Sequence, residues 1–393
     1  MLIKEFYDVI VIGGGPAGTM SAKTVAENGI DVLLLERDRE IGIPVRCAEG
    51  VAISAIDQFF PLEKRWIATE IYGTCLYSPD GNRAYISEKA IGRGLVLERR
   101  LFDSAIAEYA AKKGAKILTK ANAIGLVKEN GKICGVVFTL MNVKYKVRCN
   151  IVIGADGIES RVGRWAGLDT RLSLNNIESS AQYVLTDIDV DSHSCHFYFG
   201  NEIAPGGYAW IFPKGRNIAN IGIGVSAERL HNNAKYYLDK FVQEKFPNAS
   251  IIAFIAGAVP TSGTLPKITS DNVMLIGDAA RQVNPVTGGG IASAIISGQI
   301  AGKIAAQSIK SNNCSNNFLN KYHKQWMKIR GNRLKILHKL KESFFTLTDK
   351  QFCEICRIAN QVDEDKLNLF QLFKIAVKGN PKLLAELVKA YLT

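Results

Sequence analysis

No apolar run in the 393 residues approaches the ~20 positions that a membrane-spanning helix needs. The longest candidate, 290–306, is broken by Ser297, Gln299 and Lys303. The opening segment, MLIKEFYDVIVIGGG, lacks the charged region, apolar stretch and small-residue cleavage site of a secretory signal. A soluble, cytoplasmic protein is the expectation. The cysteines (Cys47, Cys75, Cys134, Cys149, Cys195, Cys314, Cys353 and Cys356) are dispersed, unlike the framework of a small secreted domain. Two local clusters are poor metal sites. Cys353-Glu-Ile-Cys356 has no second pair, and His193-Ser-Cys195-His196 packs its ligands too tightly for zinc. No metal is expected. No nucleic-acid-binding module is present either, so nucleic acid is not an expected partner.

What is present is core material and positive charge. Apolar residues make up 47%, and 17 Phe, 13 Tyr and 4 Trp exclude a disordered chain. Lys and Arg outnumber Asp and Glu by 49 to 37, a formal charge of +12 that suits phospholipid head groups or a phosphorylated substrate.

Residues 7–12, Tyr-Asp-Val-Ile-Val-Ile, have the near-continuous apolar pattern of a buried parallel strand. Gly13-Gly14-Gly15-Pro16-Ala17-Gly18 follows, then a helical pattern over 19–29, then an apolar strand over 31–35 ending at Glu36. GxGxxG alone is a weak signal; in this strand–turn–helix–strand–acid setting it marks a dinucleotide-binding unit. Gly13 permits the tight turn, Gly15 admits backbone N–H groups to a pyrophosphate, and Gly18 lets the helix approach the sheet. Ala17 shares the helix start, whose partial positive charge favours phosphate. Glu36 is the acceptor for ribose hydroxyls.

A further strand, Val273-Met-Leu-Ile, ends at Gly277-Asp278 and precedes Gly288-Gly289-Gly290-Ile291 and an apolar helix. A carboxylate at Asp278 suits a ribityl hydroxyl. Backbone at Gly290 and Ile291, at a helix start, suits close approach to an isoalloxazine ring. Between them lies Gly154-Ala155-Asp156-Gly157-Ile-Glu-Ser160-Arg161. Three such motifs in this order resemble the FAD-dependent oxidoreductases of the para-hydroxybenzoate hydroxylase structural group. The resemblance implies bound FAD, with the middle motif supporting its phosphate region.

Strand patterns over 115–128 and 132–140 flank Asn130-Gly131, a hairpin signal. Ala123, in the first, is counted with the cofactor-binding residues. Strand and turn patterns dominate 58–88 and 173–264, with one helix expected over 234–246. The expected fold is α/β. A Rossmann-like FAD-binding domain (1–57, 89–172 and 265–310) is interrupted by an antiparallel-sheet substrate domain (58–88 and 173–264), and a C-terminal helical region (311–393) follows.

Three more segments resemble the geranylgeranyl reductase family. They are Pro44-Val45-Arg46-Cys47-Ala48-Glu49-Gly50, Leu97-Glu98-Arg99-Arg100-Leu101-Phe102-Asp103, and Pro205-Gly-Gly-Tyr208-Ala-Trp210-Ile-Phe212-Pro213. The nearest subgroup resembles the archaeal digeranylgeranylglycerophospholipid reductases, which saturate the isoprenoid chains of ether lipids. This implies that Cys47, Ala48, Gly50 and Arg99 lie against the flavin and that Tyr208, Trp210 and Phe212 line a prenyl cavity. At period 2 those aromatics share one face; an ordinary sheet core is the competing reading. Tyr198 and Phe199 are expected to extend the wall. An isolated alkene accepts hydride poorly unless the other carbon is protonated in a dry cavity. Cys47 is the candidate proton donor, or a small filler beside a turn; Tyr208 is its rival if its hydroxyl faces the cavity.

Ile221-Gly-Ile-Gly224 lacks a third glycine, so no integral nicotinamide domain is expected. An external donor is implied: a ferredoxin, a reduced deazaflavin or NAD(P)H. Over 321–345, Trp326, Ile329, Ile336, Leu337, Leu340 and Phe344 project to one helical face, and Lys321, Lys324, Lys328, Lys335 and Lys339 to the other. Two readings stand: a helix peripheral on an anionic membrane, or one packed on the protein with a solvated lysine face. The leading function is reduction of the geranylgeranyl chains of a prenylated glycerophospholipid. The alternatives are a monooxygenase or halogenase of the same fold, and a non-enzymatic prenyl-lipid carrier.

Overall fold

A computed structural model describes residues 3–229, 231–376 and Val388. The expected helical stretch beyond 376 lies, Val388 apart, outside the described residues.

The apolar run at the N-terminus becomes the central strand Phe6–Ile12 of an eight-stranded sheet. It pairs in parallel with Val32–Leu35 on one side and Val143–Gly154 on the other. Lys116–Leu118 and Val273–Leu275 continue the parallel order outward on those two sides. Helices Pro16–Glu27 and Ile291–Lys310 pack together because Gly298 and Gly302 present no side chain there. A Cβ on Gly298 would overlap the Ala17 carbonyl oxygen, and one on Gly302 would lie 2.7 Å from Thr24 Cβ. The expected strand over 115–128 divides at Lys120, whose φ is +56°, into Lys116–Leu118 and Ala121–Glu129. Asn130 and Gly131, at φ +48° and +76°, then make the two-residue turn into Lys132–Leu140.

The second sheet has seven strands, in the order Ser250–Pro260, Ile177–Thr186, Ile218–Ser226, Tyr208–Pro213, Ser194–Tyr198, Gly73–Tyr77 and Arg83–Ser87. All neighbours are antiparallel except Ser194–Tyr198 with Gly73–Tyr77. A small third sheet joins Gly50–Ala52, Gly94–Leu97 and Ile67–Ile71. The boundaries expected at 57/58 and 88/89 cut across this sheet.

The C-terminal region corrects one expectation. The helix over 321–345 is two helices, Asn316–Trp326 and Asn332–Phe344, joined by a π-helical turn, Met327–Gly331. A regular 100° projection does not carry through a π turn, and Ile329, assigned to the apolar face, is 55% exposed. Gly331 sits in the turn because a Cβ there would overlap Met327 Sδ and stand 3.1 Å from Trp326 Nε1. Leu319, Tyr322, Trp326, Leu334, Leu337 and Leu340 are buried in the core of the first sheet's layer. No helix among the described residues is long and apolar enough to cross a membrane.

Candidate active site

One cavity of about 780 Å³ runs from the glycine turn to the aromatic strand. Gly15, Ala17, Asp156, Asp278, Gly290 and Ile291 line its nucleotide side. A smaller cavity of about 180 Å³, containing Glu36, shares Gly15 and Arg99 with it. The glycines divide by role. A Cβ on Gly13 would overlap the Ala155 carbonyl oxygen and one on Gly18 the Gly13 carbonyl oxygen, so both serve packing. A Cβ on Gly15 would meet nothing within 4 Å; its bare backbone faces the open space where a pyrophosphate fits.

Three carboxylates on this side, Glu36, Asp156 and Asp278, suit a ligand rich in hydroxyls. Glu36 accepts the Gly14 N–H at 2.6 Å on one oxygen and the Asp38 N–H at 2.8 Å on the other. Each oxygen keeps a lone pair for a ribose hydroxyl. Asp156 accepts the Val162 N–H at 2.9 Å through Oδ2, while its buried Oδ1 has no partner. Burial pushes the Asp156 and Asp278 carboxyls up; at Asp278 the Arg99 guanidinium pulls the other way. These residues fit the phosphates and polyol of FAD.

The cysteine loop is fixed by its neighbours. Cys47 is half-buried; its Sγ accepts the Glu49 N–H at 3.2 Å, and its carbonyl accepts Gln182 Nε2 at 3.1 Å. Burial pushes the thiol up against the opposing pull of Arg99, so the group keeps its proton at neutral pH. Arg99 is held by two 2.7 Å bonds to Asp103, one turn along its helix. Glu49 is buried, and its carboxylate accepts the Arg99 N–H at 2.8 Å, Lys214 Nζ at 2.6 Å and Asn220 Nδ2 at 2.7 Å. Lys214 also reaches Glu98 at 2.9 Å. This network ties the cysteine loop and the Arg99 helix to the seven-stranded sheet.

Tyr208, Trp210 and Phe212 share one face and line the cavity, while Ala209 and Ile211 enter the core on the other side. The glycines opposite make room for the rings. A Cβ on Gly222 would overlap the Trp210 indole, and one on Gly50 would lie 2.6 Å from Phe212 Cε2. Trp210 Nε1 donates to Gln182 Oε1 at 3.1 Å. Tyr208 Oη donates to the Thr287 carbonyl at 2.6 Å, which occupies its proton, and burial pushes the phenol up.

Four residues fall elsewhere than expected. Phe197, not Tyr198, completes the aromatic wall. Tyr198 points to the opposite face and stacks on Tyr77 at 4.3 Å, as period 2 demands of neighbours. Phe199 leaves the cavity and packs between Tyr208, Phe344 and Phe352. Ala123 is buried in its strand and lines neither cavity; Arg161 stacks on Trp165 at 5.0 Å. Gln182, Lys214 and Asn220 were not singled out in the sequence. Gln182 and Asn220 carried one signal, a polar side chain inside an otherwise apolar strand; Lys214, in the turn just after Pro213, carried none.

A doubly wound nucleotide sheet whose ligand cavity opens onto an antiparallel sheet is the architecture of the flavin-dependent oxidoreductases of the para-hydroxybenzoate hydroxylase type. A family model described as the geranylgeranyl reductase catalytic domain matches residues 176–259, and one described as lycopene cyclase protein matches 8–181. The chain is 44% identical to a digeranylgeranylglycerophospholipid reductase of Methanosarcina acetivorans, over 98% of this chain and 96% of that one. It is 43% identical to its counterpart in Methanocella arvoryzae, over 98% and 99%. A crystal structure of a geranylgeranyl bacteriochlorophyll reductase-like protein from Thermoplasma acidophilum superposes with a TM-score of 0.93 at 37% identity, over 98% and 99% of the two chains. A flavin-dependent brominase, at 16% identity and a TM-score of 0.72 over 96% and 99%, shares the fold. The chain belongs to the digeranylgeranylglycerophospholipid reductase family.

Proposed function

We propose that the protein saturates the carbon–carbon double bonds of geranylgeranyl chains carried on an archaeal ether glycerophospholipid, with FAD as its resident cofactor. The observation that carries this reading is a single cavity joining Gly15, Asp278 and Gly290 to the aromatic wall of Phe197, Tyr208, Trp210 and Phe212. When bound, FAD in its reduced form would supply the hydride for one alkene carbon, while a proton from the protein or water completes the other.

The chain's own residues bind, orient and exclude water. Gly15 and the helix start at Pro16 receive the pyrophosphate, Glu36 the adenosine ribose and Asp278 the ribityl chain. The aromatic wall holds the prenyl chain in a dry register, so that one double bond at a time meets the reacting centre. Cys47 holds a proton at Sγ, the position from which it is delivered. Tyr208 anchors the wall to the glycine loop through Thr287. Electrons arrive from an external donor, a ferredoxin, a reduced deazaflavin or NAD(P)H, and the enzyme works in the cytoplasm at the surface of the membrane that holds its substrate.

The test is anaerobic incubation of dithionite-reduced, FAD-loaded protein with geranylgeranyl glycerophospholipid, read by mass spectrometry. Two hydrogens gained per double bond are expected. Products that form only with oxygen, or a chain that stays unsaturated beside a reduced flavin, would overturn the reading.

A further inference from the structure

Much of the chain's net positive charge is carried by one stretch. Between Asn316 and Phe344 stand eight Lys and Arg residues and a single acid, Glu342, so this stretch carries +7 of the formal +12. Lys321, Lys324, Lys328, Lys335 and Lys339 are all exposed. At 1.5 Å per residue they extend over about 27 Å.

The other side of the same two helices is already spent. Leu319, Tyr322, Trp326, Leu334, Leu337 and Leu340 are buried in the protein's own core. No apolar helical face is left to enter a bilayer. What reaches solvent is ammonium groups with Ile329 among them, 55% exposed on the π turn. The second helix also closes the cavity. Lys341 is buried, 3.2 Å from Glu178 and 2.7 Å from Thr261 Oγ1, and Phe345, just past the helix end, lines the cavity. One helix therefore has charge on its outer side and the substrate space on its inner side.

We propose that this lysine face seats the protein on the phosphate layer of an anionic lipid bilayer, by charge alone and with no helix inserted. The inference rests on the reading that the substrate is a lipid, because only a lipid needs the cavity brought to a bilayer. Lysines are compact charges on flexible stems. Spread along about 27 Å, they match a flat array of phosphates better than one carboxylate cluster on an acidic carrier protein. Each basic residue at such a surface gains about fivefold in partitioning.

The test is co-sedimentation of FAD-loaded protein with phosphatidylcholine vesicles, with and without phosphatidylglycerol, at low and high salt. Binding only to the anionic vesicles is expected, lost at roughly 0.5 M salt. The Lys324→Glu, Lys328→Glu, Lys335→Glu triple variant should bind at least about tenfold more weakly. Its melting temperature and its reduction of detergent-dispersed lipid should be unchanged. Equal binding to neutral vesicles, no vesicle binding, or undiminished binding by the triple variant overturns the proposal. So does a triple variant that binds vesicles normally but loses reduction by an acidic carrier, which would assign the face to that carrier. Vesicle binding with no alkene reduction would sink the substrate reading and leave the surface standing.

Discussion

The backbone N–H of Glu49 donates to Cys47 Sγ across 3.2 Å, and Glu49 adopts a φ of +75° to aim it there. That backbone costs roughly 1–3 kcal/mol in a non-glycine residue. It is held by the three donors on the Glu49 carboxylate, which come from the Arg99 helix, the strand Ile218–Ser226 of the seven-stranded sheet and the turn before that strand. Thiol position is thus coupled to the seam between the two large sheets.

Glu49→Gln keeps an acceptor for the Arg99 N–H but removes the charge opposite Lys214. The Glu49–Lys214 pair is buried on both sides, and breaking such a pair costs ~3–5 kcal/mol. Lys214 keeps Glu98, which is largely in water, so the lower end of that range is expected in urea unfolding. Adding Lys214→Met should recover part of the loss, because no unpaired charge then stays buried. A double variant as unstable as the sum of the two singles would show that the pair does not act as a unit.

Cys47 is held protonated by burial, so the proposed proton is present at neutral pH. Cys47→Ser should leave the flavin absorption spectrum unchanged and slow single-turnover alkene saturation by ~100-fold, the low end for general acid catalysis. In the wild type the rate should fall as pH rises through the raised thiol pKa, above its usual ~8.5. The serine variant should lack that limb. An unchanged rate and profile would leave Cys47 a packing residue.

The glycine turn, the Gly-Asp strand end and the shared face of Tyr208, Trp210 and Phe212 were legible because each depends on local spacing. The choice between Phe197 and Tyr198 was not. Period 2 says that neighbours face opposite ways, but which one faces inward is set by pairing, here Phe197 with Trp210. Glu49 was visible as an acid in a loop. Its partners Lys214 and Asn220 lie 165 and 171 residues away, beyond any local pattern. The π turn escaped for another reason. It is the helix's accommodation of the buried Trp326 indole and Met327 beside Gly331, a tertiary demand with no periodic signature.

Trp210 separates the cavity reading from a core reading. Its ring lies over Gly222 and its Nε1 reaches Gln182, which in turn holds the Cys47 carbonyl. Trp210→Ala should cost ~3–5 kcal/mol of stability and also change which double bonds are reduced, since chain register sets the site of attack. Melting and mass spectrometry of partly reduced products read the two effects separately. A destabilised variant with wild-type regiochemistry would confine Trp210 to packing.

Glu178 gives a stability signature with a definite sign. It lines the cavity at the C-terminal helix, and burial raises its carboxyl from its ordinary 4.5 to about 7, outweighing the opposing pull of Lys341. Neither carboxylate oxygen accepts a well-formed hydrogen bond. Between those two values the folded chain binds more of this proton than the unfolded chain does. The stabilisation is therefore fully present below pH 4.5 and is lost as pH rises through about 7. The amount is at most ~3–4 kcal/mol, from ~1.4 kcal/mol per pKa unit. Glu178→Gln cannot titrate. Its stability should match the wild type's near pH 4.5, where Glu178 is itself uncharged, and be flatter with pH than the wild type between about 4.5 and 7. Urea midpoints across that range measure the difference in slope, and parallel curves would mean that Glu178 is ionised throughout, held in that form by Lys341.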